Sequence, residues 1–178
     1  MDWKIIIDKY YPKDSRLREI LLTHSQSVAR RALQIVSLHP ELNLDRDFVA
    51  EAAMLHDIGI IRCDAPSICC FGDEPYIRHG VIGAAMLRAE GFPRHARVCE
   101  RHTGAGLSKE EICERNLPLP HSDFLPETLE EQVICYADKF YSKSRLDREK
   151  TIAQAEKSIS KYGEAGLSRF LRWVEMFE

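Results

Sequence analysis

Apolar residues recur at steps of three and four along most of the chain, which is the spacing that one face of an α-helix requires. No stretch keeps the apolar–polar alternation of a half-buried strand, and no internal repeat occurs. The pattern therefore predicts an all-α fold of about eight helices. The length of 178 residues predicts that 1–178 form a single domain, with the core motifs in 20–145.

Caps and helix breakers set the boundaries of the longest predicted helix. Ser15 is its predicted N-cap, and it ends near Leu38 because Pro40 cannot continue it. A short apolar helix over 2–10 precedes it. The apolar stripe of the long helix after Ser15 includes His24, so this imidazole is expected to face the core.

The helix that carries His56 begins at Asn43 or Asp45, and we expect Gly59 to end it as a C-terminal glycine. Loops are predicted over 61–75 and 117–126, which are rich in proline and other turn residues. Further helices are predicted over 76–90 and from Pro93 to about His102. Capping boxes at Ser108 and Thr128 each predict the start of another helix. The segment 147–178 is predicted as two amphipathic helices that break near Gly163.

Polar residues interrupt the apolar faces of these helices at six positions. They are His24, His56, Asp57, His79, His102 and Asp138. A single buried histidine is more often hydrogen-bonded within the core than bound to a metal. Six such residues on five predicted helices favour a shared divalent metal centre, because burying them unpaired would be very unfavourable.

The types of these side chains restrict the metal. Imidazole and carboxylate ligands without thiolate suit iron, manganese or zinc, with magnesium, cobalt or nickel as further options. Six ligands exceed a closed four-ligand structural site, so we expect two ions per chain that share a carboxylate.

Composition and charge narrow the partners. The net charge of −3 predicts no bulk nucleic acid partner. No export signal is found, and no apolar run approaches the roughly 20 residues of a membrane helix, so we expect a cytoplasmic protein without a membrane partner. The six cysteines form no CxxC pair and are expected to be reduced.

His24, the run His56-Asp57-Ile58-Gly59 and Asp138 together resemble the HD-domain superfamily of metal-dependent phosphohydrolases, of the HDIG type. With His79 and His102 added, the order is similar to the two-metal H…HD…H…H…D branch. Residues 100–111, 118–120 and 136–138 also resemble a small uncharacterised bacterial and archaeal HDIG subfamily.

The resemblance implies a role for each residue of the set. His24, His56, Asp57 and Asp138 would hold one ion. Asp57 would bridge to a second ion, held by His79 and His102. The resemblance has one departure, since many members carry lysine after the HDIG glycine and this chain has Ile60.

A phosphate-binding cation must therefore come from another place in the chain. Ser142 and Arg145 are expected on the helix face of Asp138, whereas Lys139 is expected to point away from it. A solvated surface position is the alternative for each candidate. The candidate substrate contacts are Arg62, Arg78, Arg101, His121, Ser142 and Arg145.

The leading functional prediction is a phosphohydrolase that acts on a nucleotide or a similar small phosphorylated metabolite. His56 and Asp57 are the predicted catalytic residues, and a hydroxide held between the two ions would attack phosphorus. Two alternatives use the same ligands: a di-iron oxygenase of the HD type and a non-catalytic nucleotide-binding module. The C-terminal pair of helices is expected to pack on the core or on a second copy of the chain, and the second alternative would give a homodimer.

Overall fold

The longest element is a 23-residue helix, α2, which starts where the Ser15 hydroxyl accepts a hydrogen bond from the Arg18 backbone N–H. The computed structural model describes residues 1–178. The α-helices are α1 (Trp3–Tyr10), α2 (Arg16–Leu38), α3 (Arg46–Leu55), α4 (His79–Ala89), α5 (Pro93–Arg101), α6 (Lys109–Glu114), α7 (Leu129–Asp138), α8 (Ile152–Ile159) and α9 (Glu164–Phe177). The strands are β1 (Cys63–Ala65), β2 (Cys70–Phe71), β3 (Glu74–Pro75), β4 (Tyr141–Ser142) and β5 (Arg145–Glu149).

The chain is mostly helical, but the all-α prediction is wrong in two places. The segment 61–75, predicted as a loop, holds a sheet in the order β2-β1-β3, in which β1 is antiparallel to β2 and parallel to β3. Strands β4 and β5 form an antiparallel hairpin where we expected α7 to continue. Strands this short cannot show a two-residue period clearly, which is why the pattern did not reveal them.

The helix before His56 ends earlier than predicted. Helix α3 stops at Leu55, and a 3-10 turn covers Ile58–Arg62. The Tyr11 hydroxyl holds this turn, since it donates to the Ile58 carbonyl at 2.6 Å and accepts from the Ile61 N–H at 3.2 Å. The side chain of Tyr11 therefore fixes the turn through both of these backbone groups.

Gly59 has a different role from the predicted helix cap. Its φ is not in the left-handed region, unlike that of Gly91 after α4. A Cβ at Gly59 would lie 2.1 Å from the backbone oxygen of His79 and 2.5 Å from the backbone nitrogen of Gly83. Gly59 is therefore required for the close approach of the turn to α4.

The remaining caps agree with the sequence pattern. Asp45, rather than Asn43, is the N-cap of α3, and its carboxylate accepts from the Phe48 N–H at 3.0 Å. The predicted capping boxes at Ser108 and Thr128 are both formed. Helices α8 and α9 break at Gly163 as expected, although β5 precedes them.

Two buried apolar clusters meet along α2. Val28 belongs to a cluster built mainly from α2, α3, α7 and α9, and Leu21 to a cluster that includes α1, α4 and α5. His24 lies between them on the same helix, at the boundary of the two clusters. The C-terminal pair packs on this core, with the ring of Phe170 centred 5.4 Å from that of Tyr136.

Two further expectations concern reduced cysteines and the absence of a membrane-spanning helix. All six cysteines are free thiols, and four of them are buried. No helix is both long enough and apolar enough to cross a membrane. That 1–178 forms one domain stays a prediction.

Candidate metal centre

The ends of several helices bring the six predicted polar residues to one place. His24 lies within α2, and His56 and Asp57 form the turn after α3. The others are His79 at the start of α4, His102 directly after α5, and Asp138 at the end of α7. Five of these residues are buried, and the side chain of Asp138 is 12% exposed. The convergence agrees with the arrangement that the sequence predicted.

Asp57 stands at the centre of this cluster, and each of its carboxylate oxygens faces a different pair of imidazoles. Its Oδ2 lies 3.1 Å from Nε2 of His24 and 3.0 Å from Nε2 of His56. Its Oδ1 lies 3.5 Å from Nε2 of His79 and 3.4 Å from Nε2 of His102. With Asp138, which lies 3.0 Å from His24, two ligand groups form and share Asp57. Within each group the ligand atoms all lie within 4.8 Å of one another.

Three of the imidazoles are oriented by the backbone. In His56, His79 and His102, the Nδ1 atom lies 2.7 Å from the carbonyl oxygen three residues earlier. A carbonyl only accepts, so each Nδ1 carries a proton and Nε2 is the ring nitrogen that faces the cluster. This is the tautomer in which a metal-binding histidine is commonly held by its surroundings.

Several buried polar atoms of the cluster lack a hydrogen-bond partner of acceptable geometry. They are Nδ1 of His24, Nε2 of His56 and both carboxylate oxygens of Asp57. The ammonium of Lys143 compensates Oδ2 of Asp57 in part, but no lysine or arginine lies beside Oδ1, and an uncompensated buried carboxylate oxygen is strongly unfavourable. A divalent cation would satisfy Nε2 of His56 and the Asp57 oxygens, with Nε2 of His24 facing the same place, so the residues fit a divalent metal centre.

The electrostatics of the cluster keep both carboxylates ionised. Burial would raise the pKa of Asp57, but the ammonium of Lys143 and the His56 imidazole hold it well below its usual range. Burial acts in the same direction on Asp138, and Lys139 with the imidazoles likewise lowers its pKa. Both acids therefore offer anionic oxygens at neutral pH.

The pKa values of the histidines shift in opposite directions. Burial would lower the pKa of His56, but the carboxylates of Asp57 and Asp138 outweigh burial and raise it to about 9. Burial and the neighbouring imidazole of His102 lower the pKa of His79 to about 3. Burial also lowers the pKa of His102. His79 and His102 are thus neutral at pH 7, whereas the imidazole of His56 carries a second proton and is cationic in the metal-free protein.

The cluster opens into a cavity of about 500 Å³, a size typical of small-molecule sites. His79, His102 and Asp138 form part of its wall. Its basic lining residues are Arg115, Lys139, Lys143, Lys150 and Lys161. Asp138 is the sole acidic residue of the lining, so the cavity suits an anionic ligand.

Two of these lysines were missed or misplaced by sequence reasoning. Lys143 Nζ lies 2.5 Å from Oδ2 of Asp57, with a side chain only 12% exposed. Lys139 was expected to point away, but its Nζ lies 2.7 Å from Oδ2 of Asp138 and 2.9 Å from the His102 carbonyl oxygen. Lys139 is the C-cap of α7 and still has helical backbone angles, so its long side chain, not a change of backbone direction, brings Nζ back to Asp138.

The predicted substrate contacts lie in different places. Ser142 and Arg145 are on the β4–β5 hairpin, not on the helix of Asp138, and border a second cavity. Arg78 pairs with Glu74, and Arg101 binds Glu127 and the Leu125 carbonyl, outside the first cavity. Arg62 and His121 are exposed and also lie outside it. A substrate role for any of the six stays a prediction.

Comparison with known proteins supports the pattern of the cluster. The model of the HD domain family matches residues 21–142, which include all six polar residues. An uncharacterized protein of Methanocaldococcus jannaschii is 35% identical over 147 residues, covering 80% of this chain and 79% of that protein. No solved structure matches.

Two further relatives carry the name tRNA (cytidine(56)-2′-O)-methyltransferase. The protein of Picrophilus torridus is 33% identical over 135 residues, covering 75% of this chain and 35% of the relative. The protein of Thermoplasma volcanium is 34% identical over 125 residues, covering 70% and 32%. The chain thus spans about a third of the length of these methyltransferases. From the family match and the geometry of the cluster, the chain belongs to the HD-domain family.

Proposed function

We propose that the chain is a metal-dependent phosphohydrolase that cleaves a phosphate ester of a nucleotide or a similar small phosphorylated metabolite. The observation that carries the proposal is the position of Asp57. Its two oxygens face two groups of possible metal ligands, and three of these, His79, His102 and Asp138, line a basic cavity. A shared carboxylate beside an anion-binding surface is what two-ion phosphoryl chemistry requires.

Each ligand group would hold one divalent ion. His24, His56, Asp57 and Asp138 would hold the first, and Asp57, His79 and His102 the second. When bound, such ions activate water and neutralise charge on the phosphoryl oxygens. The donors favour iron, manganese or zinc, because they are imidazoles and carboxylates without a thiolate.

The chain's own cations would bind the phosphate. Lys143 and Lys139 contact the two acidic ligands and line the cavity, so their ammonium groups face an anion that enters it. Lys143 would supply the positive charge that Ile60 does not. In the reaction, a water oxygen adds to phosphorus, the ester P–O bond breaks, and the alcohol leaves with a proton.

A second candidate is a role on tRNA. It is favoured by the similarity to part of two proteins named as tRNA methyltransferases. The cavity would then receive a nucleotide of an RNA rather than a free metabolite. Assay of phosphate release and of methyl transfer on tRNA would separate the two candidates.

The test is a phosphate-release screen over nucleotides with purified protein loaded with iron, manganese or zinc. We expect metal-dependent turnover that falls below about 1% in Asp57→Asn and in His56→Gln. Asp64→Asn, an exposed acid on β1, is the matched control and should retain full activity. Wild-type turnover in either cluster variant would refute the assignment.

The same preparation distinguishes the alternatives. Substrate-dependent oxygen uptake without phosphate release would identify the oxygenase. Tight nucleotide binding without any product after prolonged incubation would identify a binding module. Both outcomes overturn the hydrolase.

A further inference from the structure

A second, smaller cavity of about 240 Å³ lies beside the first, against the β4–β5 hairpin. Its lining is entirely polar, in contrast to the first cavity, which includes Ile77, Leu107 and Ile159. The residues that line it are Ser142, Arg145, Arg148, Lys150, Gln154 and Ser158. Hydroxyl, amide and cationic side chains with no hydrophobic residue among them suit a phosphate rather than a base.

The positive charges of this second cavity have no acidic partner. No carboxylate oxygen lies within 4.0 Å of the cationic nitrogens of Arg145, Arg148 or Lys150, whereas Arg97 and Arg169 each pair with a glutamate. Three uncompensated cations around a concave polar surface create a local positive potential. This potential would attract an anion from solution.

The two cavities are neighbours. Lys150 and Ser158 line both of them. The hairpin also contributes to both, with Tyr141 and Lys143 towards the first cavity and Arg145 and Arg148 towards the second. A ligand whose phosphate lies at the His/Asp cluster would therefore reach the second cavity by passing Lys150 and Ser158.

The first cavity is large enough, and has an aromatic side chain suitably placed, to hold one nucleoside unit. Its volume of about 500 Å³ lies in the range for nucleotide-sized ligands. Tyr162, which is 59% exposed, borders it together with Ile159. An exposed aromatic ring of this kind can stack a base without selecting its identity.

We propose that the second cavity binds the phosphate next to the one that is hydrolysed. The substrate is then the phosphorylated end of a single-stranded oligonucleotide, with one nucleoside unit in the first cavity. This rests on the proposed hydrolase function for the position of the scissile phosphate. The phosphates of a free nucleotide are contiguous, so no nucleoside unit separates them, and a free nucleotide would not place a phosphate on each side of the first cavity.

The test measures binding to the metal-free protein by calorimetry, so it does not depend on turnover. The ligands are a nucleoside monophosphate, a nucleoside triphosphate and tetranucleotides with a 5′- or a 3′-terminal phosphate. We expect the preferred tetranucleotide to bind at least about tenfold more tightly than the monophosphate, with a steeper salt dependence. The double variant Arg145→Ala/Arg148→Ala should lose most of that advantage while monophosphate binding changes less than about twofold.

Arg172→Ala is the matched control, since Arg172 is an exposed, unpaired arginine on α9 outside both cavities. It should bind all ligands like the wild type. Equal affinity for the tetranucleotides and the monophosphate would overturn the proposal, as would a triphosphate that binds as tightly as the tetranucleotides. An equal loss for all ligands in the double variant would also overturn it. Retained oligonucleotide preference without phosphate release would instead refute only the hydrolase.

Discussion

The Nε2 atoms of His79 and His102 lie 3.0 Å apart, although neither has a proton to offer the other. Both Nδ1 atoms hold theirs against backbone carbonyls at 2.7 Å. Two imidazole lone pairs and the Oδ1 of Asp57 therefore converge on one point. Three such acceptors are mutually repulsive unless a cation lies between them.

Removing this pair should remove one ion and leave the other. In the double variant His79→Gln/His102→Gln, we expect the metal content, measured by elemental analysis, to fall from two ions per chain to one. His95→Gln is the control, because His95 is buried on α5 but contacts Glu51 and not the cluster. A variant that keeps both ions would contradict the assignment of the second group.

Lys143 should oppose metal binding and assist the reaction. Its ammonium contacts the same Asp57 oxygen that faces His24 and His56, so it competes with a cation there. We expect Lys143→Met to bind metal at least as tightly as the wild type but to release phosphate at least about tenfold more slowly. Metal titration and phosphate-release kinetics give the two readouts. Reduced metal affinity, or full activity, would show that Lys143 has another role.

Gly59 should be intolerant of even one methyl group. In Gly59→Ala, the new Cβ would overlap backbone atoms of α4, including the oxygen of His79 at 2.1 Å, and backbone cannot rotate aside. We expect a loss of about 3 kcal/mol or more in the free energy of unfolding, with weaker metal retention. Denaturant titration and metal analysis measure these effects.

Gly166 in α9 provides the matched comparison. A Cβ there would meet its nearest atoms at 3.9 Å, which is ordinary contact. Gly166→Ala should therefore be neutral or stabilise the protein by up to about 1 kcal/mol, because alanine favours a helix. If both variants lost similar stability, close packing at Gly59 would not be the cause.

Metal binding should release a proton from His56. Its pKa of about 9 in the metal-free protein lies above the ordinary 6.5, so the imidazole is protonated at neutral pH and must lose that proton to bind an ion. Apparent metal affinity should rise about tenfold per pH unit between pH 7 and 9 and level off above. Titrations in buffers of differing ionisation enthalpy would count the proton. An affinity that does not change with pH would contradict this prediction.

The same shift affects the stability of the metal-free protein. A raised folded-state pKa contributes stability that is fully present below pH 6.5 and is lost as pH rises through about 9. Denaturant unfolding of metal-free protein at pH 6 and pH 9.5 measures the contribution of His56, and repeating it with metal present should reverse the trend.

The six residues of the cluster could be identified from the sequence because each interrupts an apolar stripe, and helical periodicity identifies such positions individually. That they bind metal stays a prediction. His24 and Asp138 are far apart in the chain, yet both could be placed on inward faces. One prediction failed where the backbone leaves the helix without glycine or proline. After Asp138 the apolar spacing to Tyr141 still suits a helix, whereas the chain forms a hairpin. The contact of Lys143 with Asp57 depends on that hairpin and could not be derived from periodicity.

The three carbonyl-anchored imidazoles make the site preorganised. Their donors are aimed by local backbone before any ion arrives, so loading sacrifices little conformational entropy. The unfolded chain has no comparable arrangement, and mass action therefore favours the native state more strongly as free metal rises. Growth conditions that vary in metal supply would in this way adjust how much of the chain survives in the cell.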